Sequence, residues 1–326
     1  MPANLTPQYL AAEERYRQAK TREDKIAALE EMLAVIPKHK GTDHLQGDIK
    51  RRLARLKEAD EQRGGVKSYD PFLIEKEGAG QVALFGYANT GKSALVGALT
   101  RAKVTVADYP FATALPVAGM IDYEDIHIQM VDLPPVTADG MPKGMAGLLR
   151  AADLIAVVVD GGTDDCLEQI RGCLLLLRQK RIVETREETA GPQTKTGEQC
   201  LLIMTKADLP GVDERMELMR DIIPSGWLVL KSSVQKKETL DELRKAVFQR
   251  LHVIRVYSKI PGKEADLGAP FILKKGQTVL EMAALVHRDF PGKLKYARVW
   301  GSGKFPGQSV EKSYRLEDRD IVELHV

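Results

Sequence analysis

QVALFGYANTGKSALVGAL, residues 81–99, joins an apolar run, a glycine-rich turn and a second apolar run. The turn matches the pattern G-x-x-x-x-G-K-[ST] from Gly86 to Ser93. A buried strand before such a turn and a helix after it are the context in which the pattern marks a phosphate-binding loop. The stretch therefore predicts an α/β domain with a phosphate site between its first strand and the helix that follows.

The chemistry of this loop assigns roles to its side chains. Backbone N–H groups and the positive end of the helix attract phosphate oxygens. Lys92 is expected to reach the β- and γ-phosphates, and the Ser93 hydroxyl is expected to hold Mg²⁺. We expect nucleotide contacts from the following loop residues: Gly86, Asn89, Thr90, Gly91, Lys92, Ser93 and Ala94.

A second segment, TKAD at residues 205–208, follows the apolar run at 201–204 and predicts the base-binding element. The Asp208 carboxylate can accept hydrogen bonds from N1–H and the 2-amino group of guanine, which adenine lacks. The stem of Lys206 is expected along the base plane. Thr205 retains a hydroxyl for local bonding. Further on, Ser232 and Ser233 follow another strand, and the Ser233 amide is the expected donor to the guanine O6.

DLPPV at residues 132–136 follows an apolar stretch and corresponds to a D-x-x-G element with an altered end. Asp132 is expected to hold Mg²⁺ through water. Pro135 stands where glycine usually donates its N–H to the γ-phosphate, and proline has no N–H. Val136 stands where many small GTPases carry a water-orienting glutamine. The segment therefore predicts weakened sensing of the triphosphate and slow hydrolysis.

Two further residues have open interpretations. Thr113 is either the Mg²⁺-binding threonine of the first switch segment or an ordinary threonine at a strand edge. Asn89 either helps to hold a potassium ion beside the phosphates, adding positive charge there, or only accommodates an unusual loop conformation.

The chain resembles the developmentally regulated GTP-binding (DRG) proteins of the Obg-related GTPases. The resemblance rests on the loop GYANTGKS, on YPFAT at 109–113, on DLP at 132–134, on a helical leader and on the run from Ile254 to Val326. It implies a P-loop GTPase core with a parallel-dominated sheet, an N-terminal helical hairpin and a C-terminal ubiquitin-like β-grasp (TGS) domain. The family's inserted small domain has no counterpart between residues 181 and 199, which are predicted as a loop.

Domain boundaries follow from composition and from this resemblance. We expect a leader over 1–67, a GTPase domain over 68–252 and a TGS domain over 253–326. The resemblance implies RNA or the ribosome as partners, in addition to GTP or GDP and a regulatory protein. The formal net charge of +2 shows no strong bulk bias, and the absence of an 18-residue apolar run predicts no membrane span. Three cysteines without C-x-x-C spacing fit reduced cytoplasm.

Three functions are compatible with these patterns. The first is a slow, Mg²⁺-dependent GTPase switch in translation or ribosome handling. The second is an adaptor that binds guanine nucleotides without hydrolysing them, because Pro135 and Val136 replace the hydrolytic elements. The third, an ATPase, is disfavoured by Asp208.

Overall fold

The computed structural model describes residues 7–19, 22–36, 45–53, 70–100, 115–184 and 194–326. These residues form two compact units, which divide between Asp70 and Pro71. Each unit has its own apolar core and is described separately. None of the helices in the described ranges is long and apolar enough to span a membrane.

The N-terminal unit is helical, as the sequence predicts. Helices α1 (Pro7–Gln18), α2 (Arg22–Val35) and α3 (45–53) contribute to one small core. Its buried members are Tyr9, Ala12, Leu29, Met32, Ile36 and Ile49. The predicted hairpin of two helices is therefore incomplete, because α1 packs against α2 and supplies the buried Tyr9. From the sequence we expect Thr42 to cap a helix and Gly64-Gly65 to form a linker, and both lie outside the described residues.

The second unit begins with a six-stranded sheet in the order β2-β3-β1-β4-β5-β6. Its strands are β1 (Gln81–Phe85), β2 (Val117–Tyr123), β3 (Ile126–Asp132), β4 (Leu154–Asp160), β5 (Cys200–Thr205) and β6 (Leu228–Lys231). Only β2 and β3 pair antiparallel among them. Every residue of β1, β4 and β5 is buried, as expected for parallel strands covered on both faces. The parallel-dominated α/β prediction is confirmed.

Helices cover both faces of this sheet. They are α4 (Lys92–Leu99), α5 (Met145–Ala151), α6 (Cys166–Gln179), α7 (Val212–Met219) and α8 (Lys237–Arg250). Two apolar clusters result, one on each side: α5, α6 and α7 pack on one face, and α4 and α8 pack on the other. The carboxyl ends of the parallel strands meet at one edge of the sheet, so that residues from distant segments converge there.

A five-stranded mixed sheet in the order β10-β9-β11-β7-β8 closes the chain. Its strands are β7 (Val253–Lys259), β8 (Phe271–Lys274), β9 (Tyr296–Trp300), β10 (Gln308–Val310) and β11 (Asp320–His325). Helices α9 (Val279–Val286) and α10 (Phe290–Lys293) lie between β8 and β9. Thr278, a residue type that favours the start of a helix, stands at the N-cap of α9, and its N–H donates to Glu281 Oε2 at 2.7 Å. Apolar runs in the sequence predict β7, β8, β9 and β11, whereas the three-residue β10 contains no such run.

Candidate functional site

The glycine-rich loop leaves β1 and enters α4 through a backbone path that few residues can follow. A Cβ on Gly86 would lie 2.4 Å from the carbonyl oxygen of Val158, so this position requires glycine. Gly91 has φ of +88°, in the left-handed region that glycine adopts without strain. Asn89 has φ of +61° and is exposed. The alternative in which Asn89 accommodates an unusual loop conformation thus matches its backbone.

Lys92 folds back over the loop. Its Nζ donates to the carbonyl oxygens of Gly86 at 2.9 Å and Tyr87 at 2.6 Å. Only 6% of the residue is exposed. Burial lowers the pKa of Lys92 to about 8, although the nearby Asp132 carboxylate acts in the opposite direction. The loop therefore encloses the side-chain amine of Lys92 at the position where the sequence predicts phosphate.

Ser93 and Asp132 meet beside the loop. Ser93 Oγ donates to Asp132 Oδ2 at 2.5 Å. Asp132 is fully buried, and its second oxygen, Oδ1, has no hydrogen-bond partner among the described residues. Burial raises the pKa of this carboxyl group, against the bond from Ser93 and the charge of Lys92. A hydroxyl beside a buried, incompletely bonded carboxylate fits the oxygen ligands that Mg²⁺ prefers.

Thr205 connects the predicted base-binding strand to the loop. Its Oγ1 lies 2.8 Å from the carbonyl oxygen of Thr90 and 3.1 Å from that of Val159. Its methyl group also lies close to Gly91. One hydroxyl therefore bonds to the loop and to the adjacent strand β4, which is the local bonding that the sequence predicts for Thr205.

Lys206 and Asp208 lie at the carboxyl end of β5 and are exposed. Lys206 has φ of +55°, and its Nζ contacts Asp160 Oδ2 at 2.5 Å. Asp208 Oδ1 accepts a hydrogen bond from Ser233 Oγ at 2.5 Å. This bond lowers the pKa of Asp208. Asp208 is therefore held as a carboxylate at the edge where base recognition is predicted.

The two serines after β6 have different surroundings. Ser232 links β5 to this segment, because its N–H donates to Met204 O and its carbonyl accepts from Ala207 N–H. The Ser233 N–H donates to Thr239 Oγ1 at 2.9 Å. That amide is thus bonded within the protein, and its expected role as the donor to guanine stays a prediction. Ser233 contacts the site through its hydroxyl, which donates to Asp208.

The DLPPV segment is fixed to the loop by backbone contact. The Val136 N–H donates to Gly86 O at 3.2 Å, and Val136 pairs with Tyr87 as an isolated parallel bridge. Val136 is 2% exposed and belongs to the core on the α6 side. Its side chain is therefore directed into the core, and Pro135 beside it is half-buried.

The structure brings most of the predicted site residues to one edge of the sheet. The loop residues, Ser93, Asp132, Thr205, Lys206, Asp208 and Ser233 are linked by the contacts above. Thr113 lies outside the described residues. Sequence reasoning missed Asp160, which fixes Lys206, and Thr239, which occupies the Ser233 amide. The position of Asp160 at the end of an all-apolar strand is a signal that could have identified it.

Comparisons with known proteins agree with this arrangement. Residues 81–206 match the family described as 50S ribosome-binding GTPase, and residues 254–326 match the TGS domain. An uncharacterized GTP-binding protein of Methanocaldococcus jannaschii is 29% identical, over 93% of this chain and 92% of its own length. Developmentally-regulated G-protein 2 of Arabidopsis thaliana is 27% identical, over 92% and 90% respectively.

A solved GTP-binding protein from Pyrococcus horikoshii shares the fold, with a TM-score of 0.51 and 18% identity over 75% of this chain and 99% of that one. The family matches, the full-length relatives and the shared fold agree with one another. This chain therefore carries a GTPase domain and a C-terminal TGS domain, and over most of its length it is similar to the developmentally regulated GTP-binding proteins.

Proposed function

We propose that this protein is a slow, Mg²⁺-dependent GTPase that acts in translation or in ribosome and RNA handling. The proposal rests chiefly on the hydrogen-bonded pair Ser93 and Asp132. A fully buried carboxylate with one unbonded oxygen lies against the hydroxyl of the phosphate loop. Burying such a group without a partner is costly, and a bound cation would remove that cost.

In the nucleotide complex, the loop amides and Lys92 bind the phosphates, with contacts from Gly86 and from residues 89–94. Ser93, Asp132 and Thr113 hold Mg²⁺, which supplies positive charge to the phosphate oxygens when bound. Lys92 is positioned by carbonyl oxygens of its own loop and therefore needs little rearrangement to meet a phosphate.

Asp208 specifies guanine in this proposal. Its bond from Ser233 Oγ uses Oδ1, so that lone pairs remain to accept from guanine N1–H and the 2-amino group. Lys206 flanks the base and is held by Asp160. The Ser233 amide contacts O6 in this proposal, which requires its bond to Thr239 to open when the nucleotide binds.

Hydrolysis is slow in this proposal because the site lacks a side chain that orients water at position 136. Val136 is buried, and its amide is bonded to Gly86. A potassium ion held by Asn89, which is exposed on the loop, would supply charge near the phosphates. Intrinsic hydrolysis by GTPases without an arginine finger is on the order of 10⁻⁴ to 10⁻³ per second.

The cellular role is inferred from the family rather than from the site. The matched family is described as ribosome-binding, and a TGS domain accompanies it. We therefore propose RNA or the ribosome and a regulatory protein as partners, in the cytoplasm. We also propose that the leader spans 1–67, the GTPase domain 68–252 and the TGS domain 253–326.

A single-turnover assay of GTP cleavage in potassium and in sodium buffer tests the proposal. We expect slow cleavage that requires Mg²⁺ and is about tenfold faster in potassium, with that difference lost in Asn89→Ala. Equal rates in the two buffers would remove the cation role of Asn89.

A second candidate, the adaptor that binds guanine nucleotides without hydrolysing them, is favoured by Pro135 and by the buried Val136. In that case the assay would show tight GTP binding and no cleavage in either buffer, even with ribosomes present. The same assay therefore separates the two functions.

A further inference from the structure

The stretch from Phe290 to Val310 has an unusual composition. It contains four cationic side chains and no Asp or Glu. Aromatic residues are interleaved with these cations, in the run KLKYARVW at 293–300 and in KF at 304–305. Proteins that bind single-stranded polynucleotides combine cations, which follow the phosphates, with aromatic rings, on which bases stack.

Strand β9 places part of this stretch on one face of the C-terminal sheet. Ala297 and Val299 enter the core beneath α9. Because side chains alternate along a strand, positions 296, 298 and 300 lie on the opposite face. The strand register pairs them with residues 325, 323 and 321 of β11, and pairs residues 321 and 323 with 257 and 259 of β7. We call the following set the open face: Lys259, Tyr296, Arg298, Trp300, Glu323 and His325.

The rings of the open face are held in place by their neighbours. Tyr296 stacks on His325, with ring centroids 4.4 Å apart and planes inclined by 10°. Lys259 Nζ lies 4.8 Å from the centre of the Trp300 ring. Beside Trp300, the β9–β10 loop carries Phe305, which is 59% exposed. Rings that are ordered before binding lose little entropy when a base stacks on them.

The charge of the open face is positive. Its carboxylate, Glu323, is 3% exposed and is bonded by Lys259 and by His325 Nε2. Arg298, across from Glu323 in the register, is exposed and has no carboxylate partner among the described residues. The nearby loop adds Lys304, also exposed. The charge thus complements a polyanion.

The other end of the same face is already occupied. Arg255 and Tyr257 of β7 bond to Asp125 in the turn between β2 and β3. Ile272 of β8 packs against the apolar cluster on the α4 side of the six-stranded sheet. The GTPase domain therefore covers one half of this face of the C-terminal sheet, and the half around β9 is available for binding a partner.

We propose that the open face and the adjoining Lys304 and Phe305 bind single-stranded RNA. Arg298 and Lys304 contact phosphates, and bases stack on Phe305 and on the Tyr296–His325 pair. The choice of RNA rests on the proposed function in ribosome and RNA handling. The surface itself is identified by its rings and its charge.

Fluorescence anisotropy of the full chain with GDP and a labelled 12-nucleotide oligouridylate tests this proposal. We expect Arg298→Ala and Phe305→Ala each to weaken RNA binding about fivefold or more, because one loses a phosphate contact and the other a stacking ring. Both side chains are exposed, so neither change disturbs the core. Arg298→Ala should lower the slope of log affinity against log salt by about 0.7, whereas Phe305→Ala should leave that slope unchanged.

Arg288→Ala is the matched control. Arg288 follows α9 on the other side of the sheet, its side chain is 90% exposed, and its loss removes the same charge. We expect less than a twofold effect from it. Absence of RNA binding by the unmodified protein, or an equal loss in the control, would overturn the proposal.

Two further arms separate the alternatives. Equally tight binding of single-stranded DNA of the same sequence would overturn the assignment to RNA. Association with ribosomal proteins that depends on Arg298, without binding of RNA, would replace RNA by a protein partner. Binding of a fluorescent GDP analogue by the same variants reports on the nucleotide site independently, so its failure would contradict the proposed function and not this surface.

Discussion

Arg255, in the first strand of the C-terminal sheet, donates through Nη1 to Asp125 Oδ1 at 2.9 Å. Asp125 lies in the turn that leads into β3, the strand that ends at Asp132 of the candidate nucleotide site. Arg255 also bonds to Glu124 and to Asp318, although its side chain is only 4% exposed. The pKa of Arg255 is raised, chiefly by the hydrogen bonds to Asp318. One buried guanidinium therefore joins the two sheets.

This arrangement predicts an unequal response to two arginine substitutions. Arg255→Gln leaves three carboxylates close together near a buried position, so we expect a loss of about 3 kcal/mol of unfolding free energy. The matched change Arg319→Gln removes a side chain that is 60% exposed and bonds to the same Glu124. We expect a clearly smaller loss from it, because solvent screens an exposed ion pair. Denaturant unfolding measures both values, and equal losses would contradict the structural role of Arg255.

Nucleotide binding should depend on pH through Lys92. Its pKa is about 8 in the free protein because the side chain is buried. Phosphate favours the protonated amine and must raise this pKa in the complex. Nucleotide binding is therefore accompanied by little proton uptake at pH 7. As the pH rises through 8, proton uptake increases and the affinity for the nucleotide falls.

Calorimetric titration with GDP in buffers of different ionisation enthalpy measures that uptake. We expect more than half a proton per site at pH 8.5. No uptake at that pH would show that Lys92 is fully protonated in the free protein, or that it does not meet the phosphates.

Replacing Pro135 should change the discrimination between GTP and GDP. Proline cannot donate to a γ-phosphate, so one contact specific to the triphosphate is missing. A hydrogen bond to a charged group contributes about 1.5–3 kcal/mol. We therefore expect Pro135→Gly to raise the ratio of GTP to GDP affinity by roughly ten- to a hundredfold, measured by competition against a fluorescent GDP analogue.

Pro134→Gly is the control for the flexibility that a glycine introduces into the same segment. We expect it to leave the affinity ratio nearly unchanged. A ratio above a thousand in the unmodified protein would instead mean that the γ-phosphate is sensed fully without this amide.

The sequence predicted the phosphate loop well because the constraint there is local. Gly86 and Gly91 occupy backbone positions that other residues cannot adopt without strain or collision, and such positions leave a readable spacing. The fully apolar runs of β1, β4 and β5 were equally informative, because burial on both faces leaves no polar alternation.

Contacts between distant segments were less predictable. The sequence did not indicate that Thr239, six residues later, bonds to the Ser233 amide. Nothing in the local pattern indicates where a threonine hydroxyl at the start of α8 will point. The Lys206–Asp160 pair joins residues 46 positions apart, and only the adjacency of β4 and β5 brings them together.

Thr6-Pro7 indicates the start of a helix, and α1 does begin at Pro7, but the contribution of α1 to the N-terminal core was not predicted. In the sequence, Ile26, Leu29, Leu33 and Ile36 repeat at helical spacing and predict one apolar face, and Leu45, Ile49, Leu53 and Leu56 predict another. Tyr9 and Ala12 in α1 complete that core with too few apolar positions to form a stripe of their own. Short helices with one or two buried residues carry little periodic signal.

Asp208 makes this nucleotide site specific for guanine in our proposal, and the variant Asp208→Asn is the test of that role. An amide donates where the carboxylate accepted, so the variant should bind xanthine nucleotides and lose about a hundredfold or more in affinity for GDP. Asp213→Asn, an exposed carboxylate on α7, is the control and should leave both affinities unchanged. Titration of GDP and xanthosine diphosphate (XDP) against both variants, with unfolding checked in parallel, is the measurement. We predict that only Asp208→Asn shifts its preference from GDP to XDP. Unchanged GDP affinity in that variant would contradict the role of Asp208 in guanine recognition.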